Sequence, residues 1–248
     1  MRHPESIEVA EINLLGSIPK IVRDVGGRTL NKEANRWAAL EFGQAYFDGS
    51  REQGYGGYVY DGRWVKVAES IVQHYGIERG QRVLDVGCAK GFLVKDLSDA
   101  VPGVIVYGLD ISSYGLTHAH NDARRRLVRG SAERLPFADG SFDLVVSINT
   151  IHNLDRAGCI AALQEMERLA PGRGFVQVDA YRTEAERVVF EDWMLTAKTY
   201  LTPDAWLDLF REAGYRGDHY WTILELDPTW TQVTIPTDRQ RNNDKRDS

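Results

Sequence analysis

The sequence predicts an α/β fold, a mostly parallel sheet of seven strands with helices on both faces and an antiparallel hairpin at its end. Three observations lead there. From residue 64 onward, short apolar runs alternate with stretches of helical periodicity. The runs at 104–109 and 142–148 are nearly continuous, as in strands buried on both faces. A glycine-bearing turn follows the first strand directly, at Gly87 to Gly91.

The elements follow in order. Trp64, Val67, Ala68, Ile71, Val72 and Tyr75 make one helical stripe, and Arg82 to Val86 is the first strand. A helix over Phe92 to Leu97 leads to a strand over Val104 to Leu109. Ser112 can cap the next helix, which is expected to run to the basic cluster Arg124, Arg125 and Arg126. Strands at Leu127–Val128, Phe142–Ile148 and Phe175–Val178 come next, the last two separated by a helix carrying Ile160, Leu163, Met166 and Leu169. Trp206, Leu209, Phe210 and Ala213 mark a further helix. The hairpin joins strands near Tyr220–Leu226 and Gln232–Ile235 through Asp227 and Pro228. The expected division is a cap over residues 1–63, a sheet domain over 64–237, and a polar tail over 238–248.

Composition narrows the function classes. The 248 residues carry a formal net charge of −6, with 43 % apolar and 27 % charged side chains, as in ordinary globular proteins. No apolar run nears the ~18 residues of a membrane span. The first residues lack the basic-then-apolar order of an export signal, so the cytoplasm is the expected compartment. Only Cys88 and Cys159 are present, too few for a disulfide framework or a cysteine zinc site. The histidines show no ligand spacing; His118 and His120 are expected on opposite faces of a helix, so no metal is expected. The acidic balance argues against nucleic acid as a partner.

In an open parallel sheet, ligands bind beyond the carboxyl ends of the strands. The turn Gly87-Cys88-Ala89-Lys90-Gly91 lies at such an end, and the helix from Phe92 offers free N–H groups. Asp110 ends the second strand, where a carboxylate can accept both ribose hydroxyls of a nucleoside. A dinucleotide fingerprint needs glycines five residues apart, whereas Gly87 and Gly91 are four apart with Ala89 between them.

The segment Asp85-Val86-Gly87-Cys88-Ala89-Lys90-Gly91 resembles motif I of the class I S-adenosylmethionine-dependent methyltransferases, with Ala89 replacing the middle glycine. Three later segments extend the likeness to the Methyltransferase 11/25-like branch. They are Gly130-Ser131-Ala132-Glu133-Arg134-Leu135-Pro136-Phe137, Asp139-Gly140-Ser141-Phe142-Asp143, and Leu169-Ala170-Pro171-Gly172. The resemblance implies a Rossmann-like fold and S-adenosyl-L-methionine as cofactor. It implies a cofactor site of Asp85, Gly87, Cys88, Ala89, Gly91, Phe92, Asp110, Ile111, Ser131, Ala132 and Glu133. Arg63 is expected to meet the cofactor carboxylate. Ser131 stands where the family often has an acid.

Methyl transfer requires an aligned acceptor, excluded water and, for some acceptors, a base. Asn149 and His152 leave the fourth strand at the cofactor edge, and the His152 imidazole suits general base work. The stretch from Phe42 to Trp64 holds seven aromatics and six glycines in 23 residues, the composition of an adaptable recognition loop. Tyr55, Tyr58, Asp61, His152, Tyr181 and Arg182 are the expected acceptor contacts, with His152, Asn149 and Tyr58 the candidate catalytic groups. Residues 193–198 are a candidate lid.

The leading reading is direct, metal-free transfer to oxygen or nitrogen of a small polar metabolite, such as a sugar or natural product. Methylation of a macromolecule, non-catalytic binding of the cofactor, and a nicotinamide oxidoreductase are the alternatives. No membrane partner is expected, and the oligomeric state is open, with a homodimer one alternative.

Overall fold

The strands and helices alternate as their periodicity requires. The structure, a computed structural model, describes residues 9–19, 23–224 and 231–232. In chain order its elements are β1 (Arg23–Asp24), α1 (Val25–Thr29), α2 (Lys32–Leu40), α3 (Gln44–Asp48), α4 (Val65–Tyr75), β2 (Arg82–Val86) and α5 (Phe92–Ala100). Then come β3 (Ile105–Asp110), α6 (Ser113–Thr117), β4 (Leu127–Arg129), β5 (Leu144–Ile148), α7 (Arg156–Leu169) and β6 (Gly174–Ala180). The last are α8 (Glu184–Trp193), α9 (Pro203–Ala213), β7 (Asp218–Ile223) and β8 (Thr231–Gln232). No helix among the described residues is long and apolar enough to cross a membrane.

Six strands form one sheet in the order β4-β3-β2-β5-β6-β7. The β2–β3, β2–β5, β3–β4 and β5–β6 ladders are parallel. This is the predicted α/β class with a mostly parallel sheet. All five residues of β5 are buried, as its unbroken apolar run requires. Beneath the sheet Val83, Val106, Leu144, Val146 and Phe175 pack with Val67, Ile71, Val94 and Leu97 of α4 and α5. Each such side chain contributes about 1.5–3 kcal/mol by leaving water.

The chain divides into two compact units. Among the described residues the sheet unit comprises 9–18, Val59–Ala180 and Ala197–Thr222. The helical unit comprises, again among the described residues, 19, 23–58, 181–196, 223–224 and 231–232. Residues 9–18 and 59–63, within the expected cap over 1–63, lie in the sheet unit. Glu11 bridges His219 of β7 in parallel, Ile12 N donates to His219 O at 2.8 Å, and Leu14 and Leu15 enter the core. Residues 193–198, the expected lid, are likewise divided between the two units.

In the helical unit Arg28 is the central tie. Its guanidinium donates to the carbonyls of Arg51, Gly54 and Trp193 and lies 3.7 Å from the Trp193 ring centroid. Burial and the neighbouring Arg51 lower its pKa to about 10. Helix α8 is absent from the elements expected above, although its Thr183–Glu186 capping box is legible as Thr-x-x-Glu.

Two further expectations need correction. The helix begun at the Ser112 cap stops at Thr117, and Arg124–Arg126 form a separate 3-10 turn. His118 caps the helix and His120 lies beyond it, so they do not occupy opposite faces of one helix. Of the expected final hairpin, 225–230 and 233–235 lie outside the described residues, and Thr231–Gln232 pairs with β1 in parallel. The tail 238–248 also lies outside them.

Candidate active site

Strand β2 sits where the sheet reverses direction of growth, so its carboxyl end is the topological switch point. There Gly87 N and Cys88 N both donate to Leu109 O, at 2.7 and 3.1 Å, laying the turn across the end of β3. Gly87 turns at φ +87°. A β-carbon there would stand 1.9 Å from Thr150 Oγ1, so only glycine fits. Gly91 caps α5 in the left-handed region. Phe92 opens that helix and is buried.

The Ala89 backbone takes φ +51° where the family pattern carries its middle glycine. That conformation costs a residue with a β-carbon roughly 1–2 kcal/mol. Its reward is a bond from Ala89 N to Asp110 Oδ2 at 2.7 Å. Ser112 N donates to the other oxygen, Oδ1, also at 2.7 Å. Asp110 is thereby held at both oxygens, 8 % exposed, with lone pairs remaining on each. Burial raises its carboxyl pKa, while the N–H groups of Ser112, Ala89 and Ile111 work in the opposite direction. Asp85, 4 % exposed at the end of β2, is pushed up to about 8 by burial and then by the Asp110 charge.

Around this pair the surface changes character. Ile111 is 51 % exposed beside the buried carboxylate. The Ser131 hydroxyl donates to Glu133 Oε2 at 3.0 Å and accepts from Glu133 N at 3.2 Å, with Ala132 between them. Arg168 fixes the following loop by donating to Leu135 O and Phe137 O. Cys88 is buried with its thiol pKa raised well above the ordinary value by desolvation, and a β-carbon on Gly108 would meet its Sγ at 2.7 Å. It packs as a small apolar residue.

Sequence reasoning overlooked Tyr60. Its hydroxyl donates to Asp96 Oδ1 at 2.6 Å and accepts from Lys95 Nζ at 3.0 Å. Its ring meets Phe92 and His120 edge-on, at 5.5 and 5.0 Å between centroids. Arg63, expected on the cofactor carboxylate, pairs here with its neighbour: Nε and Nη2 donate to the Asp61 carboxylate at 2.6–3.0 Å. The two sit on one short turn as a partly exposed ion pair.

At the end of β5, Asn149 is exposed and adopts φ +53°. Thr222 Oγ1 donates to its Oδ1 at 3.2 Å and accepts from Gln177 Nε2 at 2.7 Å. His152 is 4 % exposed. Its Nδ1 accepts from Asp179 N at 3.1 Å, and its Nε2 faces Asp179 Oδ2 at 3.3 Å. An Nδ1 that accepts leaves the proton of the neutral ring on Nε2. Desolvation lowers the His152 pKa, and Asp179 partly offsets it. Its Nδ1 is therefore occupied by a backbone donor, while Nε2 stands within ion-pair range of the Asp179 carboxylate. The polar interruptions Gln177 and Asp179 in an otherwise apolar strand were the available signal for these partners.

The remaining candidates belong to the helical unit. Tyr55 and Tyr58 lie 4.5 Å apart between ring centroids and pack with Phe47. Tyr58 N donates to Asp48 Oδ1. Tyr181 is half-buried and Arg182 exposed, and Arg182 N donates to Glu186 Oε2 at 2.6 Å. Among the described residues no cluster of three or more His, Cys, Asp or Glu is placed to hold a metal.

These elements define an α/β protein with a buried, backbone-held carboxylate, Asp110, beside its switch point. A family model described as "Methyltransferase domain" matches residues 83–174. A demethylmenaquinone methyltransferase of Beutenbergia cavernae is 33 % identical over 173 residues, 58 % of this chain and 70 % of that protein. An uncharacterised methyltransferase of Synechocystis is 35 % identical over 113 residues, 45 % of this chain and 52 % of its own length. A fatty-acid O-methyltransferase of Mycolicibacterium smegmatis is 36 % identical over 105 residues, 41 % of this chain and 38 % of that protein. The chain thus spans about half or less of the latter two relatives. It belongs to the class I S-adenosylmethionine-dependent methyltransferases, whose cofactor is S-adenosyl-L-methionine.

Proposed function

We propose that this protein transfers the methyl group of S-adenosylmethionine to oxygen or nitrogen of a small polar acceptor. The observation that carries the reading is the Asp110 carboxylate, pinned by Ala89 N and Ser112 N with lone pairs left for two ribose hydroxyls. Asp85 suits the cationic end of the cofactor, Ile111 offers an apolar face to its base, and Gly87 and Gly91 let the backbone approach. Phe92, Ser131, Ala132 and Glu133 complete this cofactor set. The cofactor supplies an electrophilic methyl group on a sulfonium. The chain's own task is to orient the acceptor and exclude water.

Tyr55, Tyr58, Tyr181 and Arg182 are proposed acceptor contacts on their chemistry alone. The relatives' names cover quinone and fatty-acid substrates, and a small-molecule acceptor is in keeping with them. The test is methyl transfer from labelled S-adenosylmethionine into a metabolite extract of the source organism, with the product identified by mass. A labelled small molecule supports the reading. Label found only in protein or nucleic acid overturns it.

A further inference from the structure

The hydrogen-bond relay at the end of β5 has a direction. Gln177 Nε2 donates to Thr222 Oγ1, so that hydroxyl directs its own hydrogen to Asn149 Oδ1. One lone pair of Asn149 Oδ1 is thereby taken and the amide orientation set, and among the described residues its Nδ2–H₂ group has no hydrogen-bond partner, which leaves it for a ligand. The backbone fixes this residue as well. Asn149 N donates to Gln177 O at 3.0 Å, and asparagine tolerates the left-handed φ better than most residues. Thr150, next in sequence, meets the Cβ position of Gly87, so the Asn149–Thr150 turn abuts the cofactor turn. A fixed N–H donor thus stands beside the methyl-transfer edge. The imidazole of His152, three residues on, has its Nδ1 occupied by Asp179 N and its Nε2 3.3 Å from Asp179 Oδ2.

We infer that Asn149 is a specificity-determining donor that holds an acceptor oxygen already anionic at neutral pH, such as a carboxylate or an ionised phenol. The inference rests on the methyltransferase reading of the same edge. Such an acceptor needs no base. Its oxygen lone pair forms the new O–C bond as the S–C bond breaks, and the electron pair stays on sulfur. The negative oxygen and the positive sulfur both become neutral, and no proton moves. An aliphatic alcohol would have to lose a proton, and the amide donor cannot accept it.

The test uses the full chain saturated with S-adenosylhomocysteine and titrated with octanoate, benzoate and ionised 4-nitrophenol, against octanol and benzyl alcohol. Binding is followed by calorimetry and ligand-observed NMR. The oxyanions are expected to bind at least about tenfold more tightly than the alcohols. Asn149→Ala should weaken them about 10- to 100-fold, the value of a hydrogen bond to a charged group. Thr222→Val, which frees the amide to turn, should fall between. S-adenosylhomocysteine affinity should be unchanged in both variants, which also reports an intact fold. Alcohols binding as well as the oxyanions, no oxyanion binding to the loaded protein, or an unaffected Asn149→Ala variant would each overturn the inference. Failure of S-adenosylhomocysteine itself to bind would instead refute the underlying cofactor reading.

Discussion

Asp85 carries the most quantitative prediction. Burial and the Asp110 charge hold its carboxyl at about 8, so it is protonated in the free protein at pH 7. A cationic cofactor against it favours the ionised form, and binding must then expel a proton. The apparent dissociation constant scales as one plus ten to the power of pKa minus pH. With that pKa the factor is about 300 at pH 5.5 and about 4 at pH 7.5, so affinity should improve about 75-fold between them. The window stops at pH 7.5 because the cofactor's own α-ammonium begins to discharge near pH 8. The assay is calorimetry of S-adenosylmethionine in two buffers of different ionisation enthalpy, which counts the proton directly. Asp85→Asn should remove the pH slope. The sign for folding is opposite. A raised carboxyl pKa means that the folded state holds a proton the unfolded chain has released, so this group's contribution to stability declines from about pH 4 to pH 8. An affinity that changes less than about threefold, or an Asp85→Asn variant that retains the slope, would refute the reasoning.

Other perturbations give sharp outcomes. Ala89→Gly relieves the left-handed strain and should raise the denaturation free energy by about 1 kcal/mol, with Asp110 still held by the same N–H; a loss of stability contradicts the conformation. Gly87→Ala forces a β-carbon onto Thr150 Oγ1 and should weaken S-adenosylmethionine binding at least about tenfold in calorimetry. Arg28→Ala leaves the carbonyls of Arg51, Gly54 and Trp193 without their donor. It should cost about 3 kcal/mol, with amides of residues 25–54 and 184–194 losing hydrogen-exchange protection together.

The sheet was legible because its strands are apolar on both faces and its helices on one, two periods that sequence displays directly. The turn at Gly87–Gly91 and the strand end at Asp110 were legible for the same reason, because they lie where one period gives way to the other. Side chains with more than one available partner were not legible. Arg63 found Asp61 two residues away, and His152 found Asp179 on a neighbouring strand, 27 residues on. The Gln177–Thr222–Asn149 relay joins three strand ends, a proximity that exists only after the sheet has formed. The helix after Ser112 reads too long in sequence because the basic cluster at Arg124–Arg126 imitates the last turn of a helix.

Cofactor choice at the β2–β3 edge is tested most directly by titrating the protein with S-adenosylmethionine and with a nicotinamide dinucleotide, each against wild type and Asp110→Ala. The account predicts that wild type binds S-adenosylmethionine and ignores the dinucleotide, and that Asp110→Ala loses at least about tenfold in affinity, the value of charge-assisted bonds to two hydroxyls, while unfolding cooperatively as before. Preference for the dinucleotide, or undiminished S-adenosylmethionine binding by the Asp110→Ala protein, would contradict it.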